Sequence, residues 1–252
     1  MKLSGNRNQA KKPVKKISGF IVWEGLSRFD KKPIVAIATL ETKNEKTGNM
    51  IQLWIMRSDI EPHIAIKTGE DQSVCGGCVH RHYSNGSCYV TVHQAPLAVY
   101  RAYKKGNYPN LSLDEMTPYL TGRSIRFGAY GDPAMLPYHI LSDLHLRADF
   151  ITGYTHQWQI KRLQDTLDFC QGSVDNTKEY YQLKAIKKDA KSFRVVRSEV
   201  ELLPGEIECL SDSDGLTCEE CRLCNGQRKD VAIMVHGNKS NKFTADIPVS
   251  QL

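Results

Sequence analysis

From Ile125 onward, four short apolar segments, IRFGAY, FITGYT, DFCQGSV and FRVVR, alternate with helix-sized stretches at 134–146, 157–167 and 177–190. Strand and helix in alternation are the mark of parallel β-α units, because parallel neighbours need a long crossover that a helix supplies. The expected class is α/β, as a β/α barrel or an open parallel sheet. Before this region lie three strand-length stretches at 19–23, 33–40 and 50–56, the last two joined by KNEKTGN, whose polarity and Gly48 suit a hairpin loop. A helix is expected over 95–105. A further strand, VAIMV, ends at His236-Gly237. A length of 252 residues is within the range of one α/β domain.

The longest apolar runs, PIVAIATL and VAIMV, are strand-sized and fall short of the roughly 18 to 20 apolar residues of a bilayer span. The first residues lack the apolar stretch of a secretory signal, so a cytoplasmic location in the host cell and no membrane partner are expected. The net charge of +6 is concentrated: Lys2, Arg7, Lys11, Lys12, Lys15 and Lys16 all precede the first acidic residue, Glu24. Residues 1–18 read as a basic flexible arm, either drawn to polyanions such as nucleic acid or a solvated tail, and 19–252 as a single catalytic domain.

Eight cysteines in a chain of this size, clustered at ligand spacing, point to thiolate chemistry rather than a disulfide framework. Cys218, Cys221 and Cys224 are spaced three apart, and Cys209 lies nine residues upstream across the loop SDSDG. Four thiolates suit tetrahedral zinc, and Cys-x2-Cys-x2-Cys also matches the first ligands of a bacterial iron-sulfur run, so zinc and an iron-sulfur cluster both stay open. Cys75-Gly-Gly-Cys78 with Cys88 forms a second group that His80, His82 or His93 can complete. The metal-binding loops are thus 75–93 and 209–236. Cys170, alone in an apolar strand, reads as a small buried hydrophobe.

The strand-like segments end in polar residues, and in parallel sheets that edge is where ligands bind. Asp132 precedes Pro133, an N-cap pattern. Asn176 with Glu179 has capping-box spacing, which frees Asp175 to point elsewhere. Two carboxylates on different strand ends can divide nucleophile and proton-donor roles, and His156 beside Trp158 can move a proton or cover a planar substrate. The run Tyr100, Arg101, Tyr103, Lys104, Lys105 and Tyr108 has the charge and flat faces of a nucleic-acid groove or of a solvated helix. Arg126 is grouped with Arg101, Lys104 and Lys105 as a nucleic-acid-binding candidate. The stretch through Lys184, Lys187, Lys188, Lys191, Arg194 and Arg197 is a second basic face. The cysteines and the strand-end polar groups are expected on one face.

The ordered set CGGC, SCYV, RFGAYGDPAMLP, TGYTHQW, GSVDN, CEECRLC and VAIMVHG resembles a family of small proteins carried by phages, plasmids and mobile elements, over roughly residue 20 to the C-terminal part. Some of those proteins look like distant relatives of the tRNA-guanine transglycosylases, including phage enzymes that insert deazaguanines into DNA. The likeness implies a TIM-type β/α barrel, complete or incomplete, with Asp132 and Asp175 as the catalytic pair and zinc on Cys218, Cys221, Cys224 and either Cys209 or His236. It departs from the transglycosylase zinc motif, where one interval is a single residue. The leading expectation is exchange of guanine for a deazaguanine base in DNA. The alternatives are an iron-sulfur enzyme on a radical-SAM-like barrel, whose usual Cys-x3-Cys-x2-Cys spacing is absent, and a non-catalytic zinc-stabilised DNA-binding protein.

Overall fold

A computed structural model describes residues 16–84, 86–237 and 239–243. The basic positions Lys2, Arg7, Lys11, Lys12 and Lys15 lie outside the described residues.

The chain is mixed α/β with two five-stranded sheets. The first is ordered β1 (Gly19–Leu26), β2 (Pro33–Thr39), β3 (Ile51–Arg57), β4 (Ser124–Tyr130) and β5 (Phe150–Thr152). Its β1-β2 and β2-β3 pairs are antiparallel and its β3-β4 and β4-β5 pairs parallel. The second is parallel throughout, ordered β6 (Tyr154–Thr155), β7 (Gln171–Val174), β8 (Ser192–Val196), β10 (Asp230–Met234) and β9 (Glu206–Glu208). Only Gly153 separates β5 from β6, so one extended segment passes from the first sheet to the second. A side chain there would start 2.9 Å from both Cys170 Sγ and Phe127 Cβ, which is why the crossing residue is a glycine.

Parallel strands therefore follow one another in chain order as β3, β4, the β5-β6 segment, β7, β8 and β10. The expected hairpin is β2-β3, with a 3-10 turn at Glu45–Thr47 in its loop. The run IVAIA in β2 is buried on both faces, as a continuous apolar strand requires. No strand pairing joins the outer strands β1 and β9 among the described residues, so the sheets do not close by hydrogen bonds.

Helices α1 (Pro62–Thr68), α2 (Gln72–Cys75), α3 (Ala95–Lys104) and α4 (Leu113–Leu120) connect β3 to β4. Next come α5 (Tyr138–Arg147) before β5 and α6 (Thr177–Ile186) before β8, then α7 (Leu210–Ser213) and α8 (Cys218–Cys221) between β9 and β10. The helix expected over 157–167 is instead two 3-10 turns, Gln157–Gln159 and Lys161–Asp168. The segment is held at both ends. Gln157 is bonded into the first cysteine loop, and Asp165 pairs with Arg28 at 2.9 Å, so local hydrogen-bond spacing yields to these anchors. The main core packs α3, α4 and α5 against the first sheet around Phe20, Ile37, Ile55, Phe127 and Leu141.

No described helix is long and apolar enough to cross a membrane.

Candidate active site

At the C-terminal edge of the parallel strands, a buried polar network holds the first cysteine loop. The turn after β4 needs Gly131, whose φ is 82° and whose Cβ would start 2.5 Å from the Ile55 carbonyl oxygen. The next residue, Asp132, uses both carboxylate oxygens: Oδ1 accepts from Ala134 N at 3.0 Å, and Oδ2 from His156 N at 2.9 Å and Gln157 Nε2 at 3.3 Å. Its own N–H donates to Val74 O at 2.7 Å. Gln157 then grips the loop itself, accepting from Gly77 N at 3.0 Å and donating to Cys75 O at 3.1 Å. Burial raises the Asp132 pKa against the pull of the two backbone N–H groups.

Asp175 is placed by the start of α6. Asn176 Oδ1 accepts from Glu179 N at 2.9 Å, and Glu179 Oε2 accepts from Asp175 N at 2.8 Å. With its backbone committed, Asp175 turns its carboxylate to two imidazoles, His80 Nε2 at 2.7 Å and His156 Nε2 at 3.4 Å. His80 Nδ1 meets Ser87 Oγ at 2.7 Å, and its carbonyl accepts from Cys88 N at 2.8 Å. His156 hydrogen-bonds Cys78. One carboxylate thus reaches both arms of the loop. Burial alone would raise the Asp175 pKa, but His156 and His80, by charge and hydrogen bond, hold it well below the usual carboxylate range. Burial likewise opposes the His156 imidazolium, and Cys78 and Asp175 together outweigh it, so its pKa stands well above the usual value.

Cys75, Cys78 and Cys88 share this end. Burial raises the Cys75 thiol well above its ordinary pKa, and Asp71, Cys78 and Cys88 add to the rise. The Cys88 thiol is raised by burial and then by Cys78.

Cys218, Cys221 and Cys224 form a second set toward the opposite, N-terminal edge of the parallel strands, with Cys209, just after β9, close enough to act on them electrostatically. Their loop is fastened there by Asn49 N to Glu219 Oε2 at 2.9 Å and by Arg222 to Asp149 at 2.8 Å, just before β3 and β5 respectively. Lys46 to Asp212 at 2.5 Å is a third tie. Burial pushes the Cys224 thiol up to about 12, opposed by a Tyr154 hydrogen bond and reinforced by Cys209, Cys218 and Cys221. The expectation that both cysteine groups share the acidic face is corrected. Only the first does, because the loop that carries Cys218, Cys221 and Cys224 is tied to Asn49 and Asp149, which precede β3 and β5.

The two sets face each other through one cavity of about 550 Å³. Its wall follows the two-residue period of strands: Arg126, Gly128 and Tyr130 from β4, Thr152, Tyr154 and His156, then Ser173 and Asp175, Phe193 and Val195, Ile233 and Val235. Tyr89 crosses it, its hydroxyl accepting from Arg126 Nη2 at 2.6 Å. Arg126 is therefore a cavity residue, apart from the α3 group, because its position on β4 has inward parity.

His236, the alternative to Cys209 as fourth member of the second set, does not join it. His236, beyond β10, meets the Met234 carbonyl through Nδ1 at 2.8 Å and packs on the Tyr89 ring, at the other end from those thiols. His82 and His93 are exposed, and neither enters the His80-His156-Asp175 group. On α3, Tyr100 is buried and Tyr103 Oη bonds Glu24 at 2.6 Å, while Arg101, Lys104 and Lys105 stand at the surface, with Lys104 reaching the Ser58 carbonyl. The second basic stretch is largely paired, with Lys184 on Asp230, Lys187 on Asp168 and buried Arg194 on Glu206. Cys170 is fully buried, as its apolar setting in the sequence implies.

Residues that sequence reasoning passed over include Tyr89, Tyr154 and Gln157. Tyr154 was detectable, since it shares strand parity with His156. Gln157 was not, because its partners come from a loop some eighty residues away.

Among the described residues, one set of three metal-ligating side chains has its ligand atoms all within 4.8 Å of one another, namely His80, His156 and Asp175. No three cysteine sulfurs meet that limit.

Comparison with protein-family models, with curated proteins and with solved structures found no match to this chain.

Proposed function

We propose that the protein is an iron-sulfur enzyme built on an incomplete, radical-SAM-like β/α barrel. Cys75, Cys78 and Cys88 would hold the catalytic cluster, and Cys209, Cys218, Cys221 and Cys224 a second, closed centre. The observation that carries the reading is that three thiols, Cys75, Cys78 and Cys88, line one cavity at the C-terminal edge of successive parallel strands. That edge is where β/α folds do their chemistry. Three protein ligands leave one corner of a cluster free toward the cavity, whereas four leave none. A bound cluster with a free iron supplies one-electron chemistry at that position.

The chain's own residues set the conditions. His156 hydrogen-bonds the Cys78 sulfur, a contact of the kind that tunes cluster potential. Asp175 orients His156 and, through His80 and Ser87, the Cys88 arm. Asp132 and Gln157 fasten the backbone between Cys75 and Cys78. The apolar wall of Phe193, Val195, Ile233 and Val235 limits water.

Base exchange has less support. It needs a carboxylate free to attack a sugar carbon, and Asp132 has both oxygens engaged while Asp175 is held between two imidazoles.

The test is anaerobic purification of the full chain followed by iron, acid-labile sulfide and zinc analysis. The expected protein is brown, with iron and sulfide lost in two separable portions when Cys75, Cys78 and Cys88, or Cys218, Cys221 and Cys224, are changed to serine. Colourless protein carrying stoichiometric zinc and no sulfide would overturn the reading.

A further inference from the structure

Among the described residues, the buried arginines have acidic partners, whereas Arg126 is half-buried. Arg57 meets Asp59 and Glu70 at 2.8 and 2.7 Å, Arg81 meets Asp71 at 2.6 Å, and Arg194 meets Glu206 at 2.6 Å. Arg126 differs. It projects into the central cavity, and its hydrogen bond is to a neutral group, the Tyr89 hydroxyl. Among the described residues, no carboxylate oxygen lies within 4.0 Å of its guanidinium, whereas the other lysine and arginine lining the cavity are paired, Lys46 with Asp212 and Arg222 with Asp149.

A guanidinium stays charged in any protein setting and offers five donors in a planar fork matched to carboxylate and phosphate. One bond to a phenol leaves most of that capacity unmet, and no carboxylate answers the charge, so the fork is open to an anion. The surroundings describe the rest of such a ligand. Tyr154 and Phe193 lie with ring centroids 4.0 Å apart on the same wall, and Val195, Ile233 and Val235 continue it. A volume of about 550 Å³ accommodates a small molecule and not a polymer.

We propose that Arg126, with Tyr89, anchors the oxyanion of a small organic substrate, a carboxylate or a phosphate monoester. Its flat apolar body lies along Tyr154 and Phe193 and its far end points toward Cys75, Cys78 and Cys88. The assignment rests on charge and shape inside the cavity, and it holds whichever metal the thiols carry. The competing role for Arg126 is counter-charge to the Cys218 thiolate, whose field it feels.

The experiment is titration calorimetry on the full chain with two matched probe pairs, adenosine 5′-monophosphate against adenosine, and phenylacetate against phenylacetamide. At least one charged probe is expected to bind tenfold or more tightly than its neutral partner, and the pair that does so separates phosphate from carboxylate recognition. Arg126→Met should abolish that preference and Arg126→Lys should keep part of it, both with unchanged metal content. Tyr89→Phe, which removes only a hydroxyl, should weaken the preference several-fold and covers the case in which Arg126→Met does not fold. Equal binding of charged and neutral probes by the native protein overturns the proposal. So does an Arg126→Met protein that loses metal while its anion preference persists, or an unchanged preference in Tyr89→Phe.

Discussion

Asp175 Oδ1 lies 2.7 Å from His80 Nε2, joining residues 95 apart in the chain. The same oxygen is 3.4 Å from His156 Nε2, so the end of β7 is tied to the Cys88 arm through one imidazole and to Cys78 through the other. Such a bridge makes the carboxylate a positioning group for the thiols.

Asp175→Asn should therefore act on the thiol loop before it acts on any substrate. Removing one partner of a buried charged set costs on the order of 3 kcal/mol. The expected outcome is a lower unfolding midpoint in denaturant and faster loss of metal to a chelator, with Glu179 still bonded to the backbone at residue 175. Native-like metal retention in the variant would remove the positioning role.

Gly131→Ala tests the turn that sets Asp132. The substitution meets a left-handed φ of 82° and a contact of 2.5 Å with the Ile55 carbonyl oxygen. The backbone conformation alone costs about 1 to 2 kcal/mol, and the overlap adds about 1 to 3 kcal/mol more. Thermal unfolding should show a drop of several degrees or more. Stability equal to the native protein would mean that β3 and the turn separate readily.

Arg57, buried at the end of β3, holds the segment that leads into the first thiol loop through Asp59, Glu70 and Ser73. Arg57→Met removes a buried charge from partners that are partly exposed, with Glu70 keeping Lys32, and should destabilise the fold by about 1 to 2 kcal/mol, read from chemical denaturation. Hydrogen exchange should rise across 58–75 ahead of the second sheet. A uniform rise over the whole chain would argue that Arg57 has no special hold on this segment.

Acid should reveal the same tie. Hydrogen bonds from Lys32 and then Arg57 lower the Glu70 pKa against a smaller opposing effect of burial. A depressed folded-state pKa contributes stability that is present above the unfolded carboxyl value, about 4.3, and is lost as pH falls through the folded value. Glu70 is one-third exposed, so the effect belongs with surface pairs, under about 1 kcal/mol. The native protein should melt slightly above Glu70→Gln at pH 7, and the gap should narrow as pH falls below the unfolded carboxyl value of about 4.3. A gap that does not change with acid would assign the difference to packing instead.

Much of the architecture was legible because it is local. Alternating apolar and helix-sized stretches marked the parallel units, KNEKTGN marked the hairpin, and Asn176 with Glu179 marked the start of α6 and freed Asp175, since each depends on neighbours within a few residues. The handover between sheets at Gly153 was not legible. Neither was the replacement of a helix by 3-10 turns at 157–168, which depends on Arg28 and on the first cysteine loop.

The site divides the same way. Cysteine spacing identified two thiol groups, because those intervals span only a few consecutive residues. Strand parity, had it been applied, would have grouped Arg126, Tyr154, His156 and Asp175 on one inner surface. What the chain's order alone determined, then, is which side chains travel together: short-range periodicity and spacing are properties of a few consecutive residues. Only tertiary structure decided that the thiol groups lie at opposite ends of one cavity, that His236 joins Tyr89 rather than cysteine, and that Asp175 faces His80. Those relations depend on the path of loops through space, which burial and long-range hydrogen bonding select and no local pattern encodes.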